Sequence, residues 1–283
     1  RTHVDPDALE RLTGRRFSDD QRVTLTDASA GPLKINALGV RVTELDHIST
    51  ALGREIDGIM SVHALADFLL ILDYPAGEMR IREGALPRPD GERIFSTRGP
   101  DRRPWVRVDL AGRRERLLLD SGAGGLSFAV NRLDRLTLMQ PPQTYSAAVR
   151  FDRIEYRPAA RLNGSARLAG IAFETPVIEQ VERAPLLGGE VLSHFVVTLD
   201  QANRRVRLDP AGPGPVAAWD QTELGAALMP DSSGFDVIEV FDATPAARAG
   251  LLAGDRITHF NADPAPERGC APLGPGRNGG PTL

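Results

Sequence analysis

At 283 residues the chain is long enough for two or three compact units, each able to bury its own core. Its 34 basic and 38 acidic residues leave a net charge of −4, too near neutral to predict binding to nucleic acid or a membrane surface. No apolar run approaches the roughly 20 residues of a spanning helix. One cysteine, Cys270, excludes an internal disulfide framework. The five histidines are scattered, with no i, i+4 pair, so no zinc site is expected.

The chain opens on Arg1 rather than Met, with no charged-then-apolar leader, so further residues are expected upstream. "VDPDALERL" (4–12) carries a short helix-like pattern, and "VTLTDASAGPLKI" (23–35) alternates on both sides of a small-residue tip, as a hairpin does. Residues 57–81 read as a short apolar segment, a helical turn, an apolar strand, a turn and a closing strand. Residues 83–103 are rich in charge, Pro and Gly and predict a linker. "WVRVDL" (105–110) and "RERLLLD" (114–120) predict a second hairpin, turned at Gly112 and ending on Asp120. Residues 210–219 form a stiffer Pro/Gly connector. The expected units are 1–82, 104–209 and 220–263, followed by a Pro/Gly-rich tail, 264–283, that reads as disordered.

An internal repeat organises the first two units. Residues 57–81 align without a gap onto 184–208, matching Leu65 with Leu192, Phe68 with Phe195, Leu72 with Leu199, Asp73 with Asp200 and Arg80 with Arg207. Residues 4–12 line up with 128–136, Leu9 falling on Leu133 and Leu12 on Leu136. On that register Arg1 corresponds to Gly125, and the counterpart of Asp120 falls five residues before Arg1.

Asp120 follows three leucines and precedes Ser121, Gly122 and Ala123. The plain reading is a turn aspartate after a hydrophobic run. The alternative is a carboxylate delivered to a cleft by a buried strand. An apolar strand ending in Asp-Ser-Gly-Ala, with a distal Leu186-Leu187-Gly188, resembles the retropepsin-like aspartic proteases. Two such lobes before a third unit look like the bacterial members that carry a C-terminal PDZ domain. The resemblance implies a mainly β fold of two acid-protease β-barrel lobes in pseudo-two-fold arrangement, plus a partial α+β PDZ unit.

It also implies a chemistry. Asp120 would be one of two carboxylates that share a proton, one acting as general base on water and the other polarising the scissile carbonyl. Such a pair titrates as a unit and needs no metal or cofactor. Ser121 would donate a hydrogen bond orienting the active-site loop, Gly122 would let the backbone approach a carboxylate, and Ala123 would leave room for substrate. Leu186, Leu187 and Gly188 would support that loop from beneath. The first copy has Ile59-Met60-Ser61 there, with serine where the family has glycine. The hairpin at 23–35 is the candidate flap of the first lobe, and an ordinary surface hairpin is its alternative; the second flap falls within 144–162. Tyr145 and Tyr156 read as structural, and His194 as a helix or surface residue. Ser121 has no His or Lys base to make it a nucleophile.

The block "TPAARAGLLAGDRI" in the third unit resembles the PDZ signature. Thr244 can cap a helix with Pro245 at its first position, Gly250 suits the helix end, and Gly254-Asp255 the following turn. Leu224 and Gly225 would sit at the carboxylate-binding loop, where a peptide adds as a strand. The groove-closing helix is missing, so the PDZ unit reads as unfinished. The leading expectation is therefore an aspartic endopeptidase, acting on peptides or proteins as a tandem-lobed monomer in an extracytoplasmic compartment. This chain alone would lack one catalytic Asp. The alternative is a non-catalytic peptide-binding scaffold.

Overall fold

The computed structural model describes residues 2–30, 33–52, 54–99, 101, 103–123, 125–149, 154–217, 225–231, 234–260 and 263–264. Cys270, Leu224 and almost all of the predicted tail lie outside them. The fold is mainly β, in several sheets. Two compact units form: residues 1–64, 145–156 and 222–283 make one, and 65–144 with 157–221 the other.

The first unit begins with β1 (Thr2–Val4), α1 (Pro6–Thr13), β2 (Arg22–Ala30), β3 (Leu33–Val42), α2 (Asp46–Leu52) and β4 (Gly58–Ile59). Asp5 starts α1 by accepting a hydrogen bond of 2.9 Å from the Asp7 amide, Pro6 occupies the first turn, and Gly14 ends it at φ 69°. The other Asp5 oxygen accepts from the Leu45 amide at 3.1 Å, so one carboxylate ties the helix start to the chain entering α2. β2 and β3 form the hairpin expected at 23–35, with Arg22 opposite Arg41; its tip, 31–32, lies outside the described residues. The sheet order is β2-β3-β1-β4, and Leu9, Val40, Val42 and Leu45 are buried in its core.

The second unit carries β5 (Leu69–Asp73), β6 (Glu78–Arg82), β7 (Ile94–Ser96), β8 (Trp105–Leu110), β9 (Arg113–Leu119) and β10 (Phe128–Val130); most of β11 (Gln143–Val149) and the first three residues of β12 (Ile154–Arg161) are counted with the first unit, the rest with the second. There follow β13 (Ser165–Leu168), β14 (Ile171–Glu174), β15 (Val177–Gln180), β16 (Leu186–Leu187), α3 (Gly189–Leu192), β17 (Phe195–Asp200) and β18 (Arg205–Pro210). One sheet is ordered β6-β5-β17-β18-β7, the other β11-β12-β15-β10-β16-β9-β8-β13-β14. The barrel expected of each lobe does not close among the described residues. The free side of β14 is taken instead by Val216, which bridges Phe173 and exchanges backbone hydrogen bonds of 2.8 and 2.9 Å with Ala172 and Glu174.

The repeat is structural as well as sequential. Every residue pair of the β5–β6 hairpin maps without shift onto the β17–β18 hairpin: Leu69↔Arg82 onto Val196↔Asp209, and Asp73↔Glu78 onto Asp200↔Arg205. The 3₁₀ turn Val62–Leu65 stands where α3 stands. Asp73 accepts a turn hydrogen bond from the Ala76 amide at 3.2 Å, as Asp200 does from Asn203 at 3.0 Å. The alignment of 4–12 with 128–136 needs correcting in its strand. His3 pairs with Ile59 as Ala129 pairs with Leu186, so β1 matches β10 two residues out of the predicted register. The reason is local: α1 is a full helix of 8 residues, whereas its counterpart Leu133–Arg135 is a 3₁₀ turn of 3. Both still bury the matched leucine, Leu9 or Leu133.

Within the segment read as a linker, 83–103, residues 83–99 form an ordered strap. Leu86 and Ile94 are buried, β7 pairs with β18, and the Leu86 amide donates to the buried Asp200 carboxylate at 2.8 Å. Asp90 shapes its turn by accepting from the amides of Glu92, Arg93 and Ile94 at 2.8, 2.9 and 2.8 Å.

The C-terminal part of the first unit holds β19 (Ala226–Asp231), β20 (Gly234–Val240), α4 (Pro245–Arg248) and β21 (Arg256–Ile257) in a three-stranded sheet of order β19-β20-β21. Thr244 accepts from the Ala247 amide at 3.3 Å and Pro245 starts α4. Gly250 and Gly254 adopt positive φ of 82° and 92°, as their turns require.

Candidate active site around Asp120

The β8–β9 hairpin turns through Ala111 and Gly112, at φ 51° and 87°, with the Asp109 carboxylate accepting from the Gly112 amide at 2.8 Å. β9 then runs between two neighbours. It pairs antiparallel with β8 and parallel with β16, where Leu186 lies opposite Leu118 and Leu187 opposite Leu119. That placement explains three consecutive buried leucines: a strand flanked and covered on both faces reads as a continuous apolar run. The parallel ladder extends one step, the Asp120 amide donating to the Leu187 carbonyl at 3.0 Å.

At Asp120 the chain turns. The Gly122 amide donates to Asp120 Oδ1 at 3.0 Å and the Ala123 amide to the Asp120 carbonyl at 3.2 Å. The aspartate therefore shapes its own loop while its side chain stays half-buried. A Cβ on Gly122 would come within 3.2 Å of Asp120 Oδ1, so glycine is the residue that gives this approach its room. The exposed Ser121 makes no hydrogen bond to a described residue.

The support beneath the loop is explicit. Gly188 donates to the Ser127 carbonyl at 2.9 Å, Gly189 to Ala123 at 2.8 Å and Glu190 to Leu126 at 3.2 Å. The amides at the start of α3, which have no partner within the helix, thus bind the loop's carbonyls. A Cβ on Gly188 would lie 2.2 Å from the Leu126 oxygen and 2.8 Å from that of Ala123. No side chain fits. Leu186 joins Trp105, Leu118, Leu126, Ala129 and Val181 in a buried cluster against which Ala123 packs.

The first copy solves the same position differently. Ser61 stands where Gly188 stands, its amide donating to Thr2 Oγ1 at 3.2 Å and its hydroxyl accepting from the His63 amide at 3.3 Å. Ser61 caps the 3₁₀ turn, a service Gly188 has no side chain to perform.

One residue near Asp120 has no signal in the motif. Tyr74 follows β5, and its hydroxyl is buried without a hydrogen-bond partner among the described residues. Burial first, and the negative charge of Asp120 second, push its phenol up to about 12. The only sequence hint is its repeat equivalent, Gln201, whose amide nitrogen is likewise buried and unpartnered. His194 is half-buried edge-on to Phe173, with ring centroids 5.5 Å apart, and burial lowers its pKa; this is a packing role. Tyr156 is exposed and donates to Glu239, within the first unit. Among the described residues no group of three metal-ligating side chains forms.

In the C-terminal sheet, Gly225 is buried at φ 77°, its carbonyl accepting from the Phe241 amide at 2.9 Å and from Thr244 Oγ1 at 3.2 Å. Its missing Cβ makes way for Thr244, which would lie 2.1 Å from it. Leu224, its expected companion, lies outside the described residues.

No protein-family model matches the chain, and no curated protein matches it. Among solved structures, a retropepsin-like aspartic protease from Rickettsia conorii aligns at 16% identity and a TM-score of 0.29, over 40% of this chain and 94% of that one. No helix among the described residues is long and apolar enough to cross a membrane.

Proposed function

We propose that the second unit carries one half of an aspartic-peptidase site, with Asp120 as its carboxylate. The observation behind this reading is the loop Asp120–Ala123. It leaves a strand buried on both faces, closes on its own carboxylate through the Gly122 amide, and rests on a glycine that admits no side chain. So many constraints on a four-residue loop fix a carboxylate in space, which acid–base catalysis needs and a surface turn does not. In this reading the partner carboxylate comes from the equivalent position of the first repeat. With both in place, one is ionised and activates water, while the other holds the shared proton and polarises the peptide carbonyl. The C-terminal sheet would add peptide recognition by strand pairing.

The test is cleavage of a peptide library by the full-length protein across acidic to neutral pH. Asp120→Asn should reduce turnover to background and leave the circular dichroism unchanged, because Asn keeps an oxygen for the Gly122 amide. Unchanged turnover would remove Asp120 from the chemistry. One observation favours a second reading, in which the lobes are a non-catalytic scaffold. Ser61 carries a Cβ where Gly188 can carry none, so the first copy cannot hold a loop of identical course. In that case the wild-type protein cleaves nothing and still binds peptide.

A further inference from the structure

We propose that two copies of the chain join edge to edge through β6, antiparallel about a two-fold axis at Arg80, so that two five-stranded sheets run into one. The assembly departs from the monomer that tandem lobes imply, and it is independent of what Asp120 does.

The repeat shows which edge is unfilled. β6 and β18 are equivalent strands, Glu78 falling on Arg205 and Arg82 on Asp209. The outer side of β18 is covered by β7, which belongs to the strap that follows β6 in the chain. The segment that follows β18 does not return the favour, because it reaches β14 through Val216. β6 is left as the last strand of its sheet, with no described residue paired to its outer side. Burial differs accordingly. Val206 and Leu208 of β18 are fully buried, whereas Met79, the equivalent of Val206, is 64% exposed.

The shared register also says which groups point outward. On β18, Leu208 donates to the Arg93 carbonyl and Arg204 accepts from the Thr97 amide, both at 2.9 Å and both on the β7 side. Their counterparts are Ile81 and Gly77, so by alternation the N–H and C=O groups of Met79 and Ile81 face the open edge. Proteins usually blunt such an edge with proline, a bulge or a covering strand. β6 has no proline, and its ladder with β5 runs without a bulge.

The side chains select a second copy as the occupant. A strand that reads Glu-Met-Arg-Ile-Arg complements its own reverse at both ends. With Arg80 on the axis, Glu78 of one copy lies opposite Arg82 of the other. Met79 then exchanges both backbone hydrogen bonds with Ile81 across the seam, apolar beside apolar. Arg82 is exposed and holds no ion pair among the described residues, so the seam supplies one. The two arginines that meet on the axis are already neutralised, each Arg80 binding Asp73 at 2.6 Å and Glu78 at 3.0 Å.

The experiment is sedimentation velocity of the full chain across the micromolar range. A dimer that forms with rising concentration is expected, with hydrogen exchange slowed at Met79 and Ile81. Glu78→Arg and Arg82→Glu each set like charges opposite one another and should weaken self-association on the order of tenfold. Mixed together, the two variants should pair with each other, because the mixed dimer restores opposite charges at both ends of the seam. Met79→Pro removes an outward N–H without touching the ladder to β5, and should abolish the dimer while circular dichroism stays that of the wild type. A chain that remains monomeric throughout the range overturns the proposal. So does a dimer that ignores the charge substitutions, one that leaves the Met79 and Ile81 amides exchanging as fast as in the monomer, or a failure of the two variants to associate on mixing.

Discussion

Ile71 and Thr198 face each other across the β5–β17 ladder, and they are the same position of the two sequence copies. A local two-fold axis of the sheet passes through this pair, so each copy supplies the neighbour that the other's central strand requires. Neither hairpin can complete its sheet without its twin.

That axis has an unsatisfied group on it. The Thr198 hydroxyl is buried and has no hydrogen-bond partner among the described residues. Thr198→Val removes a desolvated polar group at nearly constant shape, and is expected to raise stability by about 1 kcal/mol. The measure is a higher urea midpoint at unchanged slope. A lower midpoint would show that the hydroxyl is satisfied in solution.

Gly188 and Ser61 are repeat equivalents with opposite tolerance. Gly188→Ala forces a methyl against two loop carbonyls and should cost about 1–3 kcal/mol through displacement of the loop. Ser61→Ala loses the cap hydrogen bond and an exposed contact of its hydroxyl with His63 Nδ1 at 3.1 Å, together about 1 kcal/mol. Loss of cleavage should follow the first substitution and not the second. Equal effects in urea unfolding and in cleavage would contradict the role given to Gly188.

Asp73 and Asp200 are matched in sequence but not in burial. Asp200 is 3% exposed and its Oδ2 accepts from the buried Leu86 amide. Asp200→Ala should cost about 2–3 kcal/mol and speed hydrogen exchange at Leu86, whereas Asp73→Ala should cost about 1 kcal/mol. Exchange at Leu86 that ignores Asp200 would mean the strap is held by other contacts.

Asp101 offers a pH test. Burial works to raise its carboxyl, but hydrogen bonds from the Trp105 indole and from Arg103, with the Arg103 charge, outweigh it and hold the group at about 2. A depressed carboxylate adds stability above its unfolded value of about 4, and loses that contribution as pH falls through the folded value. Trp105 fluorescence in a Trp219→Phe background should therefore change as pH drops from about 4 toward 2. In Asp101→Asn that step should vanish.

How legible the molecule was in its sequence follows from where the information sits. The repeat could be read because apolar alternation and the paired aspartates are local, and local matches proved to be matches of hairpin register. Asp120 at the end of a leucine strand and Gly188 beneath it were both visible, although the reason for Gly188 needed the positions of the Leu126 and Ala123 carbonyls. The strap at 83–99 was misread because its order comes from backbone groups, such as the Leu86 amide on Asp200, that leave no trace in composition. The two-residue slip of β1 was hidden because a helix and a 3₁₀ turn use different residue numbers to bury one leucine. Tyr74 was missed because its neighbour Asp120 is distant in sequence, and only the pairing of β5 with β17 puts Tyr74 in that unit.

The dependence of the Asp120 loop on Leu187 and the first amides of α3 also sets a clock during synthesis. The ribosome must make roughly seventy more residues after the aspartate before those partners exist, about 3–14 s at ordinary elongation rates. Throughout that interval a nascent chain carries the acid without the scaffold that aims it. A chain arrested near residue 180 should be nicked by added protease within 120–126, and one arrested past β18, with its exit-tunnel allowance, should be protected there.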